Sequence, residues 1–255
     1  MPYAELDGLR LYYERAGTGE PELLFVHGWC CDRTAFRPQF EHFAQTHVVT
    51  ALDLRGCGES DRPPSGFTIP DFADDVARFC AEVGIDRPVV VGHSLGGMIA
   101  VELAAHHPSV PSALVLVDPG PIDPLPETTE FFREFAGQLD GPNGETVRRL
   151  YVRDMGAVDE QLAEWIADLM CRVPLPIAAA VIHGVTAWNG VGALADCTVP
   201  TLMLRSELGP NPDAVRLRTI KPDLQVGITV GAGHFHHLEV PNQVNAMIER
   251  FLELS

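Results

Sequence analysis

The segment from Pro88 to Ala105 constrains this chain more than any other. An apolar stretch, Pro88 to Val91, passes through Gly92-His93-Ser94-Leu95-Gly96-Gly97 into a run of small and apolar residues that ends near Ala105. The first part reads as a buried strand and the last as a helix. A strand that becomes a helix this quickly must turn sharply, so the residues two before and two after the serine must be small. Both are glycine here, and a third glycine follows at Gly97. Such a turn exposes the serine oxygen and points the backbone N–H groups that follow at the same spot. Ser94 is therefore the candidate nucleophile. The competing reading is a plain glycine-rich strand-to-helix turn.

The rest of the chain supplies the setting that this turn needs. The N-terminal stretch reads as two strands joined by a turn at Asp7-Gly8, the second covering Leu9 to Glu14. Leu23 to Val26, His47 to Leu54, Pro88 to Val91 and Ala113 to Val117 are further strands. Between them lie a helix through Phe36, Phe40 and Phe43, an amphipathic helix over Asp71 to Glu82, and the helix after Ser94. Continuous apolar strands alternating with helices predict an α/β fold with a mostly parallel sheet covered on both faces. The alternation stops at Pro119, and only helical periodicity follows to about Asn189. It resumes with a strand at Thr201 to Arg205, a helix near Ala214 to Ile220, a strand at Leu224 to Val230 and a last helix through Phe251. Residues 119–189 are thus expected to form a helical insertion, and 1–118 with 190–255 the core. An insertion at the carboxyl ends of the strands sits over the usual ligand crevice.

Two further glycine-bearing junctions could serve the serine. His27-Gly28-Trp29 closes an early strand, where a backbone turn can present the Trp29 N–H toward Ser94. With the Leu95 N–H it forms a candidate oxyanion hole, worth ~2.7–4 kcal/mol per donor. His27 is expected to be structural. Gly231-Ala232-Gly233-His234 follows the last strand, and a flexible loop there lets a histidine reach the nucleophile. His234 is the expected base. His236 and His237 are expected in the loop or at the surface. No second cluster of Cys, Asp or His with ligand spacing accompanies these histidines, so no metal is expected. There is also no phosphate-binding loop or dinucleotide motif, so no cofactor is expected.

These segments, together with Asp53-Leu54-Arg55-Gly56-Cys57-Gly58-Glu59-Ser60, occur in an order that resembles the α/β-hydrolase superfamily. The resemblance covers nearly the whole chain, with the helical segment least determined. It implies an eight-stranded sheet, a helical cap over residues 119–189 and a Ser-acid-His triad. It also implies that Asp53 and Arg55 belong to a structural loop. Relatives often carry the acid at the end of a G-x-x-D pattern after the strand that here is Thr201 to Arg205. This chain reads Ser206-Glu207-Leu208-Gly209 at that point, with Gly209 in the acid's place. Other relatives carry it after the strand that follows the nucleophile helix, which here is Asp118. Asp118 is the expected acid, with Glu207 and Asp213 as alternatives. The competing reading of Asp118 is a turn residue before Pro119.

The expected activity is hydrolysis of a carboxylic ester, lactones such as acyl-homoserine lactones included, through an acyl-enzyme on Ser94. The alternatives are C–C bond hydrolysis of a ring-cleavage product, a cofactor-free dioxygenase-like reaction, and a ligand receptor on the same fold. Gly28-Trp29-Cys30-Cys31-Asp32 resembles a segment of cofactor-free quinolone dioxygenases, which carry His where this chain has Cys31. Phe131, Phe132, Phe135, Trp165, Met170 and Trp188 in the helical segment suit an apolar acyl or aryl group, although cap packing explains most of them. A net charge of −17 argues against nucleic acid and against an anionic membrane surface. No signal peptide or spanning segment is expected, and six cysteines without regular spacing suit a reducing cytoplasm. The sequence sets no oligomeric state.

Overall fold

The computed structural model describes residues 2–155, 159–209 and 214–254. It contains an eight-stranded mixed sheet. β1 (Tyr3–Leu6) and β2 (Leu9–Ala16) form a hairpin in which Leu6 pairs with Leu9. The two-residue turn needs positive φ at both positions, and Asp7 and Gly8 adopt 50° and 91°. β3 (Leu23–Val26), β4 (Val49–Leu52), β5 (Val89–His93), β6 (Ala113–Val117), β7 (Thr201–Ser206) and β8 (Gln225–Thr229) complete the sheet. The spatial order is β1-β2-β4-β3-β5-β6-β7-β8, parallel from β4 to β8.

The continuous apolar strands are explained by burial on both faces. Leu23 and Phe25 of β3 join one core with Val89 and Val91 of β5, and Leu24 and Val26 join the other with Val90. The first core is closed by α1 (Arg37–Phe43) and α11 (Pro241–Leu252), through Phe40, Phe43, Val244, Ile248 and Phe251. The second is closed by α2 (Ile69–Val83) and α3 (Leu95–His106). Each fully buried side chain of this size contributes ~1.5–3 kcal/mol. α2 starts two residues earlier than its apolar periodicity suggests, because Thr68 and Asp71 form a reciprocal capping box at Ile69.

α4 (Pro126–Leu139), α5 (Gly144–Asp154), α6 (Glu160–Met170) and α7 (Leu175–Ala187) follow β6, and α8 (Gly190–Asp196) packs back on α3. α4 lies along α7, and α7 touches α2. Trp188, just after α7, donates its indole N–H to buried Glu102 of α3 at 2.7 Å, which ties this helical segment to the core. α9 (Ala214–Ile220) precedes β8, and the four-residue α10 (His236–Glu239) precedes α11. Among the described residues no single helix is long and apolar enough to cross a membrane.

The strand order also fixes where a site can form. From β3 the chain moves to β4 on one side and returns to β5 on the other. The loops leaving β3 and β5 therefore diverge at a switch point, and the crevice lies outside their carboxyl ends.

Candidate active site

Ser94 sits at the switch point, between β5 and α3, at φ 51° and ψ −113°. A residue with a Cβ rarely adopts that conformation, which costs ~1–3 kcal/mol and persists only when the surroundings enforce it. The enforcement is visible. The Ser94 N–H donates to Val117 O at 3.0 Å, and the Ser94 carbonyl accepts the N–H groups of Gly97 and Gly120, each at 3.0 Å. The flanking glycines are sterically required. A Cβ on Gly92 would lie 2.2 Å from Gly96 O, and one on Gly96 would lie 2.0 Å from Val26 O.

The loop after β3 is pressed onto this turn. A Cβ on Gly28 would lie 2.8 Å from His93 Nδ1 and 3.3 Å from Ser94 Cβ, so only glycine fits. Trp29 and Cys30 follow, with Cys30 at φ 56°. Among the described residues, neither the Trp29 N–H nor the Leu95 N–H has a backbone acceptor. His27 plays a structural part: its Nε2 accepts the Leu54 N–H at 3.0 Å while Nδ1 meets Gly28 O at 2.8 Å. Burial holds its pKa below the ordinary value. Asp53 is likewise structural, accepting from the Arg33 and Glu59 N–H groups and from the Arg33 guanidinium. Arg55 pairs with buried Asp75.

His234 Nδ1 lies 2.8 Å from Asp118 Oδ2, and both residues are buried. Asp118 comes directly after β6, at φ 41°, and its N–H donates to Leu204 O at 2.7 Å. The Ser206 hydroxyl donates to Asp118 Oδ2 at 2.9 Å and the Ser206 N–H to Oδ1 at 3.2 Å. The carboxylate thus has a donor for each oxygen besides the imidazole. With Nδ1–H facing the carboxylate, Nε2 of His234 is left as the basic nitrogen. That atom is buried and has no hydrogen-bond partner among the described residues.

His93 joins the two halves of the site. Its Nε2–H donates to the His234 carbonyl at 3.0 Å, and the two rings lie 4.7 Å apart. The residue before the serine therefore holds the loop that carries the histidine. Burial, then the neighbouring His237 and His234, keeps His93 well below the usual imidazole range, so it is a neutral donor.

Of the alternative acids, Glu207 is exposed and accepts the Gly231 N–H at 2.8 Å. Asp213 lies outside the described residues. The expectation that His236 and His237 belong to a loop or the surface is overturned: both are fully buried on α10. Phe235 and His237 are buried beside His93 of β5, and the His237 ring packs 5.0 Å from Phe36 and 4.2 Å from His93. His236 bonds the Thr229 hydroxyl at 2.8 Å, and burial pushes its pKa down to about 4. Among the described residues no three metal-ligating side chains converge.

The aromatic residues of the helical segment divide. Phe135 packs on Trp29 at 5.7 Å and on Tyr151 at 4.3 Å, with Phe131 stacked beyond it. Phe132 meets Phe131, Met170 is buried, Trp165 is partly exposed, and Trp188 faces α3. Tyr151, Ser206 and His93 were not singled out by sequence. Tyr151 stands among charged residues on α5, and the other two carry no spacing signal.

A family model described as the alpha/beta hydrolase fold matches residues 21–175, more than half of the chain. The protein belongs to the α/β-hydrolase family. The 2-(acetamidomethylene)succinate hydrolase of Mesorhizobium japonicum is 26% identical over 271 residues, covering 98% of this chain and 94% of its own length. The solved thermophilic esterase of Thermogutta terrifontis has a TM-score of 0.86 at 26% identity, covering 99% of this chain and 96% of that one. A solved N-acyl homoserine lactone degrading enzyme has a TM-score of 0.75 at 27% identity, covering 98% of this chain and 100% of that one.

Proposed function

We propose that this α/β-hydrolase-family protein hydrolyses carboxylic esters, lactones included, through an acyl-enzyme on Ser94. The observation that carries the reading is the buried Asp118–His234 pair at 2.8 Å, held by His93 to the strained turn that bears Ser94. Ser94 Oγ attacks the ester carbonyl as His234 Nε2 takes its proton. The tetrahedral oxyanion forms against the Trp29 and Leu95 N–H groups, which a preorganised site holds ready for it. His234 then protonates the leaving alkoxide. Water, deprotonated by the same nitrogen, attacks the acyl-enzyme and releases the acid. Asp118 fixes the imidazole tautomer and stabilises the imidazolium. The helices inserted between β6 and β7 act as a cap, with Phe131, Phe135 and Tyr151 offering an apolar wall near Trp29. An apolar acyl or aryl group suits that wall.

The test is direct. A fluorophosphonate probe is expected to label Ser94 and abolish turnover of nitrophenyl esters. Ser94→Ala is expected to lower kcat by ~10⁴–10⁶-fold with the thermal unfolding midpoint preserved. Activity retained in the folded variant would remove the acyl-enzyme. A panel of nitrophenyl esters of graded acyl length, aryl esters and acyl-homoserine lactones then ranks the substrate classes.

A further inference from the structure

We propose that Trp29 is a positioning residue whose side chain couples the inserted helices to the oxyanion-binding backbone. The proposal rests on the serine-hydrolase reading and adds to it a role for the helical segment in the chemical step. The Trp29 indole N–H donates to the Ala178 carbonyl of α7 at 3.0 Å. The ring meets Phe135 of α4 edge-on at 5.7 Å and Tyr151 of α5 edge-on at 6.1 Å. One buried side chain of the β3 loop is therefore held by three separate inserted helices. Its own backbone N–H is the donor assigned to the oxyanion.

The opposite side of the same loop has no freedom to compensate. Gly28 already lies against His93 and Ser94 with no space for a Cβ. Cys30, next in the chain, is held at φ 56°, a backbone state that persists in a non-glycine residue only where its surroundings enforce it. The loop is fixed between the elbow below and the helices above, so a shift of α4, α5 or α7 is transmitted to the Trp29 peptide. Oxyanion stabilisation depends on donors aimed at where charge develops, and a displacement of ~1 Å can cost ~10²-fold in rate. A ring that served only as a wall of the substrate pocket would act on KM instead.

Trp29→Phe keeps a ring and removes the bond to Ala178. In the full chain, kcat for a nitrophenyl ester is expected to fall about tenfold while KM changes by less than about twofold. Inhibition by a trifluoromethyl ketone, which forms a tetrahedral adduct on serine, is expected to weaken by the same factor as kcat. The pH profile of kcat/KM is expected to keep its shape. Tyr151→Leu leaves the indole bond intact and loosens the ring from the α5 side, so a smaller loss in kcat with the same split is expected. If Trp29→Phe fails to fold, Tyr151→Leu decides by that split. A raised KM with unchanged kcat, or wild-type behaviour in folded variants, overturns the proposal. Failure of the fluorophosphonate to label wild-type Ser94 is the different result that removes the underlying reading and this one with it.

Discussion

β6 and β7 lie side by side and run in the same direction, with Val117 at the end of β6 opposite Leu204, two residues before the end of β7. The loops that leave them nevertheless do opposite things. Leaving β6, the chain places the carboxylate of Asp118 on His234 at once. At the end of β7 and in the loop that follows, it supplies what that carboxylate needs: two donors from Ser206 and, at Gly209, the absence of a side chain. A Cβ on Gly209 would lie 2.7 Å from Asp118 Oδ2 and 2.2 Å from Ser206 Oγ. The Ser206 side chain at the end of β7 and the Asp118 side chain after β6 thus converge on one small volume beside the imidazole. On the proposed reading, what the chemistry constrains is a position in space rather than a place on one strand.

The largest effect that bears on this contrast is expected from Asp118→Asn. An amide in place of the carboxylate favours the wrong imidazole tautomer and leaves the imidazolium without a counter-charge. A loss of ~10⁴-fold in kcat is expected, with KM nearly unchanged. Steady-state kinetics on a nitrophenyl ester, with near-UV circular dichroism to verify packing, measure it. A folded Asp118→Asn protein that keeps most of its activity would show that the β6 loop does not carry the acid.

Gly209→Ala probes the other loop at the point where the two meet. The added methyl must displace the Ser206 hydroxyl or the Asp118 carboxylate, both buried. Overpacking of this kind costs ~1–3 kcal/mol of stability. A shift of the carboxylate by under ~1 Å is enough for a loss of ~10–10² in kcat. Urea unfolding and kcat separate the two consequences. Unchanged kcat with lowered stability would mean that Ser206 yields while the acid stays in place.

The contrast also marks what was legible in the sequence. The strands were, because burial on both faces makes each a continuous apolar run, as Leu23 to Val26 and Ala113 to Val117 show. The sharp turn at Ser94 was, because it leaves glycines at fixed offsets. The placement of Asp118 beside His234 was legible only through the gap at Gly209, since a single aspartate before proline reads equally well as a turn. His93 and Ser206 were not, because a hydrogen bond to a carbonyl 141 residues away, or to a carboxylate 88 residues away, leaves no local pattern. His236 and His237 misled for a physical reason. A histidine is costly to bury when charged and far less so when neutral, and burial holds both well below the usual imidazole range. The helical segment between β6 and β7 showed periodicity, but not which of its aromatic residues would meet Trp29. That depends on how α4, α5 and α7 pack together.

The smallest effect is expected at Glu207, and it is informative because it is small. Glu207 leaves β7 at an exposed position and accepts the Gly231 N–H at 2.8 Å. Gly231, at φ 75°, opens the loop that ends in His234. The Leu208 N–H donates to Ala232 O at 3.0 Å and pins the same loop through the backbone, whatever the side chain at position 207. Glu207→Gln retains an oxygen that can accept from Gly231, so stability is expected to change by no more than ~1 kcal/mol and kcat by less than about threefold. If Glu207 were instead the charge that stabilises the imidazolium, the same substitution would cost ~10⁴-fold, because an amide cannot supply that charge. The ratio of the Asp118→Asn loss to the Glu207→Gln loss is therefore expected to exceed ~10³. A ratio near one would mean that the two loops share the task, and an inverted ratio would move the acid to β7 while leaving Ser94 as the nucleophile.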